Sequence, residues 1–405
     1  MNPLCRLLAL PEEEKQSRGL QHTPKEIAQQ PETWLRTFEC FRQRHGEIQE
    51  FLQSAGVGAE PSARPAVFLV GAGTSDYVGR SLAPLLRRLW HCEVSAVPST
   101  DLLTHADECL VPGRRYLWIS FSRSGESPEG VAIIERALQR NPDIHHLVVS
   151  CNQSAPMLRL AAGCKQALGN VLPDATHDRG LAMTSSFSNM VIFGQCLAHI
   201  ESLDAYQAFL QSLVRVAANF LDPAASCADK LANEPFTSVC FTGSGTLKAV
   251  ATESALKVLE LTAGEIRTMS ESVLGLRHGP MAALDKQTLL VVFLSSDPTV
   301  LRYEVDLLEE IGRKHLLKTR ALVSPAPHKL DGYAEYVLAH TTSVGTGGDG
   351  AGSVTEIPDV YRPPLDVIFG QLLGLFFSLR CGLKPDCPSP NGAISRVVQH
   401  VRIHD

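Results

Sequence analysis

Residues 68–75 read Phe68-Leu-Val-Gly71-Ala-Gly73-Thr74-Ser75, and residues 240–247 read Cys240-Phe-Thr-Gly243-Ser-Gly245-Thr246-Leu247. Gly71 and Gly243 stand 172 positions apart, and Phe121 faces Phe293 at the same offset. Further on, Val148-Val149-Ser150 faces Leu322-Val323-Ser324, so the offset drifts by only two residues. A strand–loop pattern repeated at so steady a spacing constrains the chain to two copies of one α/β unit. The copies have diverged in their loops. Only the first carries the hydroxyl-rich run Ser122-Arg123-Ser124-Gly125-Glu126-Ser127; the second has Glu253, Lys257, Glu260 and His278. The first copy suits an anion, the second proton transfer.

Short apolar runs at Ala66–Val70, Tyr116–Phe121 and His146–Ser150 alternate with helical patterns, notably 128–138. The second copy repeats this with strands at 239–241 and 288–293 and a helix between them. Alternating strands and helices predict an α/β fold, each copy a doubly wound parallel sheet flanked by helices. The expected organisation is a helical N-terminal segment (1–48), a first α/β domain (49–205), a linker (206–228), a second domain (229–385) and a C-terminal tail (386–405). In the lead-in, Thr23-Pro24-Lys25-Glu26 predicts a helix capped by Thr23 with Glu26 closing a capping box. A second helix is expected from near Pro31 to Leu52. The run Ser343 to Gly352 reads as a Gly-rich surface loop, and 368–379 as a late apolar helix.

Composition narrows the function. Forty-three acidic and 37 basic residues give a net charge of −6, which argues against a general nucleic-acid binder. Eleven cysteines without a Cys-x-x-Cys pair read as free thiols in a reducing cytoplasm. The N-terminus is apolar only briefly, unlike a secretory signal, and no apolar run reaches membrane-spanning length. His145-His146 has no partner at ligand spacing, so no metal site is expected.

Ser122 to Ser127 follows a strand and opens a helix, with Ser127 as N-cap and Pro128 at the first position. Unpaired N–H groups and the helix dipole favour an anion there. The hydroxyls of Ser122, Ser124 and Ser127 add neutral donors. A serine-rich turn alone can simply cap a helix, but a second polar turn, Gly73-Thr74-Ser75, ends the neighbouring strand. The pair reads as a phosphate-monoester site. Gly-Lys-Ser/Thr is missing, which excludes a Walker A loop. Asp76 stands where a dinucleotide fingerprint needs its third glycine.

Glu253, Lys257 and Glu260 share one stripe of a helix at i, i+4 and i+7. Such a stripe can be a surface ion-pair ladder worth a few tenths of a kcal/mol per pair. What points to chemistry is His278 before Gly279-Pro280, held in a constrained turn. A carboxylate and a histidine supply what is needed to open a sugar ring and carry a proton between neighbouring carbons.

These motifs resemble the sugar isomerase (SIS) domain family, present twice over residues 50–400. The resemblance rests on Gly-x-Gly-Thr-Ser, Ser-x-Ser-Gly-Glu-Ser and Glu-x-Ala-Leu-Lys-x-x-Glu…His-Gly-Pro in that order. The isomerase half of glucosamine-6-phosphate synthase is similar in layout. That likeness implies phosphate binding by Gly73, Thr74, Ser75, Ser122, Arg123, Ser124 and Ser127, with Glu260 as the C1–C2 base. It implies His278 in ring opening, contributed by the other subunit of a dimer, with Glu253 and Lys257 earlier on the same helix. The chain departs from the synthase in lacking its glutaminase domain, and Arg396 stands where the synthase tail carries an imine-forming lysine. Arginine stays protonated and is no practical nucleophile.

The sequence is also similar to the double-SIS galactosamine-6-phosphate deaminase/isomerase group, also described as tagatose-6-phosphate ketose/aldose isomerases. The resembling stretches are Leu181 to Phe187, Leu259 to Gly264, Arg277 to Pro280, Pro388 to Pro390 and Arg396 to Gln399. The first of these implies Thr184 and Ser185 as sugar contacts. The resemblance implies a cytoplasmic, cofactor-independent enzyme, a homodimer or higher homo-oligomer. Its substrate would be a hexosamine 6-phosphate, with galactosamine 6-phosphate favoured, and its products a ketose 6-phosphate and ammonia. A non-deaminating aldose–ketose isomerase and a non-catalytic sugar-phosphate sensor remain open. The absence of a basic recognition helix in residues 1–48 and the presence of both Glu260 and His278 favour an enzyme.

Overall fold

The computed structural model describes residues 2–325, 330, 332–340, 357–398 and 401–404. The expected Gly-rich loop at 343–352 and Gln399 lie outside them. The chain forms two compact units, neither contiguous in sequence. The Gly71 unit gathers Glu32–Arg179, Met183–Ala208 and Gly392–Asp405. The Gly243 unit gathers Met1–Pro31, Gly180–Ala182 and Phe209–Asn391. Residues 206–228, expected as a linker, fall within one long helix, Leu203–Ala232.

In the Gly71 unit, β1 (Ala66–Gly71), β2 (Val94–Pro98), β3 (Tyr116–Ser122), β4 (Ile144–Ser150) and β5 (Ala167–Val171) form one sheet in the order β2-β1-β3-β4-β5. Every pairing is parallel, with Val67 opposite Val94 and Phe68 opposite Trp118. All six residues of β1 are buried, as a parallel strand covered on both faces requires. Phe68, Tyr116, Trp118, Ile133, Ile134 and Val148 make the core beneath the Pro128–Arg140 helix.

In the Gly243 unit, β6 (Ser238–Gly243), β7 (Arg267–Glu271), β8 (Thr288–Phe293), β9 (Thr319–Ser324) and β10 (Tyr336–Ala339) form a second parallel sheet in the order β10-β9-β8-β6-β7. Read from its other edge this is the same order, with β6 in the place of β1 and β8 in the place of β3. The two α/β copies expected from the repeat are therefore present as tandem sheets of one topology. Backbone geometry repeats as well: Gly73 and Gly245 each have φ near +55°, a region that favours glycine. A Cβ on Gly71 would lie 2.3 Å from the Ser75 carbonyl carbon, and one on Gly243 2.5 Å from the Leu247 oxygen. Both turns thus require glycine where the strand folds back on the next helix.

Three local expectations differ from the structure. Thr23 does not cap its helix. It is the first helical residue, and its N–H and hydroxyl both donate to Asp386 Oδ1, at 2.7 and 2.8 Å. The Glu26 carboxylate accepts from the Gly180 N–H and closes no capping box. The helix expected from Pro31 to Leu52 is two helices, Gln30–Gln43 and His45–Ser54, parted at Arg44, whose φ of −111° and ψ of 12° leave the helical region.

The Leu247–Leu261 helix is covered by the apolar Pro363–Arg380 helix. Gly370 and Gly374 permit that approach. A Cβ at Gly370 would sit 2.2 Å from Ser254 Oγ, and one at Gly374 3.0 Å from the Lys257 carbonyl oxygen. This cover is what buries the charged stripe described below.

Candidate active site

In an open sheet of this order, ligands bind beyond the carboxyl ends of the strands where the strand order reverses, between β1 and β3. The Gly71 unit has a cavity of about 130 Å³ there. Whole small-molecule sites run to roughly 300–1,000 Å³, so this cavity suits one end of a ligand. Ser75, Ser122, Arg123, Ser124, Ser127 and Arg396 all line it. Gly73 and Thr74 form the adjoining turn, Thr74 being buried.

The loop after β3 is wound by its own hydroxyls. The Gly125 N–H donates to Ser122 Oγ at 2.9 Å, the Glu126 N–H to Ser124 Oγ at 3.2 Å, and the Gly130 N–H to Ser127 Oγ at 3.3 Å. Ser127 is thus the N-cap of the Pro128–Arg140 helix, as its position predicts. Gly125 has φ +61°, and a Cβ there would meet Ala155 Cβ at 2.5 Å. Asn152 Nδ2 braces the loop by donating to the Ser124 carbonyl at 2.9 Å.

Charge converges on the same place. Arg123 is buried and donates to the Arg396 carbonyl. Arg396 in turn donates through Nε and Nη2 to the Asp178 carbonyl, at 2.8 and 2.5 Å. His177 registers the result: burial first, then Arg396, Arg179 and Arg123, lower its pKa. Burial alone disfavours a protonated imidazole; the smaller push from the three guanidinium groups is the part that marks positive charge beside the cavity.

Asp178 is the residue that sequence reasoning missed. It is fully buried, and its carboxylate accepts from the N–H groups of Thr184, Ser185 and Ser186 at 2.7, 3.1 and 2.9 Å. The hydroxyls of Thr184 and Ser186 also donate to it. These are the first N–H groups of the Ser185–Ala198 helix, so Asp178 caps that helix with a charge of the right sign. Thr184 and Ser185, expected as sugar contacts, are fully buried around Asp178 and do not line the cavity. No local signal marks Asp178, because its donors are gathered by the fold.

In the Gly243 unit, Lys257 Nζ lies 2.6 Å from Glu260 Oε2 and 3.4 Å from Glu253 Oε1. The side chains of Glu253 and Lys257 are fully buried, whereas that of Glu260 is 24% exposed. A surface ion-pair ladder is therefore excluded for the first two, and the one accessible carboxylate of the stripe is held in place by a buried cation. His278 ends the Gly275–His278 turn and is exposed, and Gly279 after it has φ +124°.

Among the described residues, no group of three or more His, Cys, Asp or Glu side chains is placed to hold a metal ion. The cysteines are all free thiols. Burial pushes Cys151, near the loop, up to about 12, which removes it as a nucleophile at neutral pH.

No family model matches the chain. It is 35% identical to the D-galactosamine-6-phosphate deaminase AgaS of Escherichia coli O157:H7, over 94% of this chain and 95% of that one. It is 33% identical to the protein of the same name from Shewanella sp. (strain ANA-3), over 98% of this chain and 95% of the relative. The crystal structure of tagatose-6-phosphate ketose/aldose isomerase from Escherichia coli superposes with a TM-score of 0.81 at 31% identity. That match covers 95% of this chain and 96% of that structure.

Proposed function

The chain belongs to the AgaS family of D-galactosamine-6-phosphate deaminases, and on that premise we propose that it converts a hexosamine 6-phosphate, galactosamine 6-phosphate in the first instance, into a ketose 6-phosphate and ammonia. The observation that carries the reading is the partly exposed Glu260 carboxylate, anchored at 2.6 Å by the buried Lys257. A proton-transfer base needs this combination of access and fixed geometry.

The phosphate is held by Ser75, Ser122, Ser124, Ser127, Arg123 and Arg396, whose cavity offers hydroxyls and two guanidinium groups. Charge-assisted contacts of this kind are the strong ones. His278, supplied by the partner in a homodimer, helps move the proton from the anomeric hydroxyl to the ring oxygen, which opens the ring to an aldehyde at C1. The C2 proton is then acidified by the neighbouring carbonyl, so no cofactor is required.

Glu260 takes the C2 proton, giving a C1 enol that bears the C2 amine. Reprotonation at C1 leaves a primary alcohol at C1 and an imine at C2. Water adds to that imine, and ammonia leaves as the ketone forms. The sum is one hexosamine phosphate and one water in, one ketose phosphate and one ammonia out. The scattered cysteines, without a Cys-x-x-Cys pair, favour a reducing compartment, and no helix among the described residues is long and apolar enough to cross a membrane.

The test is Glu260→Gln. The reading expects turnover to vanish while binding of galactosamine 6-phosphate persists, measured by calorimetric titration. A variant that still turns over would remove Glu260 from the role of base.

A further inference from the structure

The two units share a fold but treat the anion position in opposite ways. In the Gly71 unit the N–H groups of the loop and of the helix start are accepted by the neutral hydroxyls of Ser122, Ser124 and Ser127. Among the described residues no carboxylate accepts from those donors, and Arg123 and Arg396 line the cavity. In the Gly243 unit the Asp297 N–H still donates to a hydroxyl, Ser295 Oγ at 3.0 Å, but the other donors of the loop and helix start end on carboxylates.

The loop after β8 reads Leu294-Ser295-Ser296-Asp297-Pro298, with Ser295 and Ser296 at the repeat offset from Arg123 and Ser124. The Ser296 N–H and hydroxyl donate to Asp359 Oδ1 at 2.8 and 2.9 Å. The Ser295 hydroxyl donates to Asp359 Oδ2. Arg362 Nη1 lies 3.0 Å from Asp359 Oδ1, and the Arg362 side chain is fully buried. Two serines, a loop N–H and a buried guanidinium thus surround one side-chain carboxylate, the donor set that the Gly71 unit turns toward its cavity.

The neighbouring donors are closed in the same way. The Ser295 N–H and the Ser244 hydroxyl donate to the two oxygens of Glu304, at 2.8 and 2.6 Å. Ser244 belongs to the Gly243–Gly245 turn, the counterpart of Gly71–Gly73. The first N–H groups of the Pro298–Arg313 helix, at Thr299 and Val300, donate to Asp297 Oδ1.

We infer that the Asp359 carboxylate is an internal anion occupying the second oxyanion cradle, and that it is the residue limiting the chain to one sugar phosphate. The inference rests on the reading that the Gly71-unit cavity holds the substrate phosphate. A tethered carboxylate competes with a free ligand as an intramolecular one does, at high effective concentration. Any phosphate reaching the loop would also meet the charge of Asp359 itself. The repeat therefore kept the cradle and lost the ligand by supplying an anion from within.

Equilibrium dialysis with radiolabelled inorganic phosphate tests this on the full-length protein. The wild type is expected to bind one phosphate per chain and Asp359→Gly two. A folded Asp359→Gly protein that binds no more phosphate than the wild type overturns the inference. A wild type that binds none, with a variant that binds one, would sink the reading of the Gly71-unit cavity and leave this inference standing. Should Asp359→Gly fail to fold, refolding from urea in phosphate or in formate decides. Recovery in phosphate supports the inference. Recovery in formate alone, which refills only the volume of the lost carboxylate, or in neither, marks Asp359 as a structural carboxylate and overturns it.

Discussion

Lys257 Nζ sits between Glu253 Oε1 and Glu260 Oε2, at 3.4 and 2.6 Å, so one buried cation serves two carboxylates on the same helix. Removing one partner of a buried ion pair leaves an uncompensated charge, which costs about 3–5 kcal/mol. Lys257→Met is therefore expected to lower stability by about that amount in urea unfolding, and to lower kcat by loosening Glu260. Adding Glu253→Gln should recover part of the stability and none of the kcat. A stability loss below about 1 kcal/mol would place the pair in the class of exposed bridges and contradict its burial.

On the proposed function, Arg123 and Arg396, which line the cavity, hold the phosphate. Hydrogen bonds to charged groups contribute about 1.5–3 kcal/mol, so Arg123→Ala should raise KM for the sugar phosphate by about 10- to 100-fold. Arg396→Ala, which also frees the Asp178 carbonyl, should act in the same direction. Arg396→Lys should retain much of the affinity, because no imine role is assigned to this position. Steady-state kinetics with unchanged kcat and raised KM would bear this out. A loss of kcat alone would move both residues from holding phosphate to chemistry.

His146 lies in β4, fully buried, and neither ring nitrogen has a hydrogen-bond partner among the described residues. Burial, with a smaller push from His145, lowers its pKa to about 4. The unfolded chain takes up the proton near pH 6.5, so below that pH the unfolded state binds more protons than the folded one. The contribution of His146 is fully present above pH 6.5 and is lost as pH falls toward 4. At pH 5 His146→Leu should be more stable than the wild type by about 2 kcal/mol, and at pH 8 the two should differ little. Urea unfolding at both pH values measures it; parallel pH profiles would refute the account.

Asp178 accepts three helix-start N–H groups with its carboxylate and holds Arg396 with its carbonyl. Asp178→Ala leaves those buried donors without an acceptor, at about 1–3 kcal/mol for each group left unsatisfied. A Tm drop together with a higher KM is expected, and Asp178→Asn should recover only part of the Tm, because its amide offers one acceptor oxygen where the carboxylate offers two. A Tm drop with unchanged KM would confine Asp178 to the scaffold.

The strands, the repeat and the Ser122–Ser127 loop were legible because each is written locally, in apolar runs, a fixed offset and a capping serine before proline. Gly71 and Gly73 were legible for the same reason, since a tight turn needs them. Asp178 and Asp359 were not. Each is a single acid in a stretch without periodicity, and its meaning depends on donors that only the folded chain brings to it. The burial of Glu253 and Lys257 was hidden too, because the covering helix, Pro363–Arg380, lies some hundred residues downstream and is admitted by Gly370 and Gly374. The expectation of Thr184 and Ser185 as contacts rests on a resembling stretch alone, and the fold gives their N–H groups another partner, Asp178.

The most direct test is ammonium release from purified protein given galactosamine 6-phosphate and glucosamine 6-phosphate in parallel, without added cofactor. The account predicts ammonium from galactosamine 6-phosphate, one equivalent for each ketose 6-phosphate formed. Silence with both sugars, while tagatose 6-phosphate is isomerised, would contradict it and establish proton transfer without deamination.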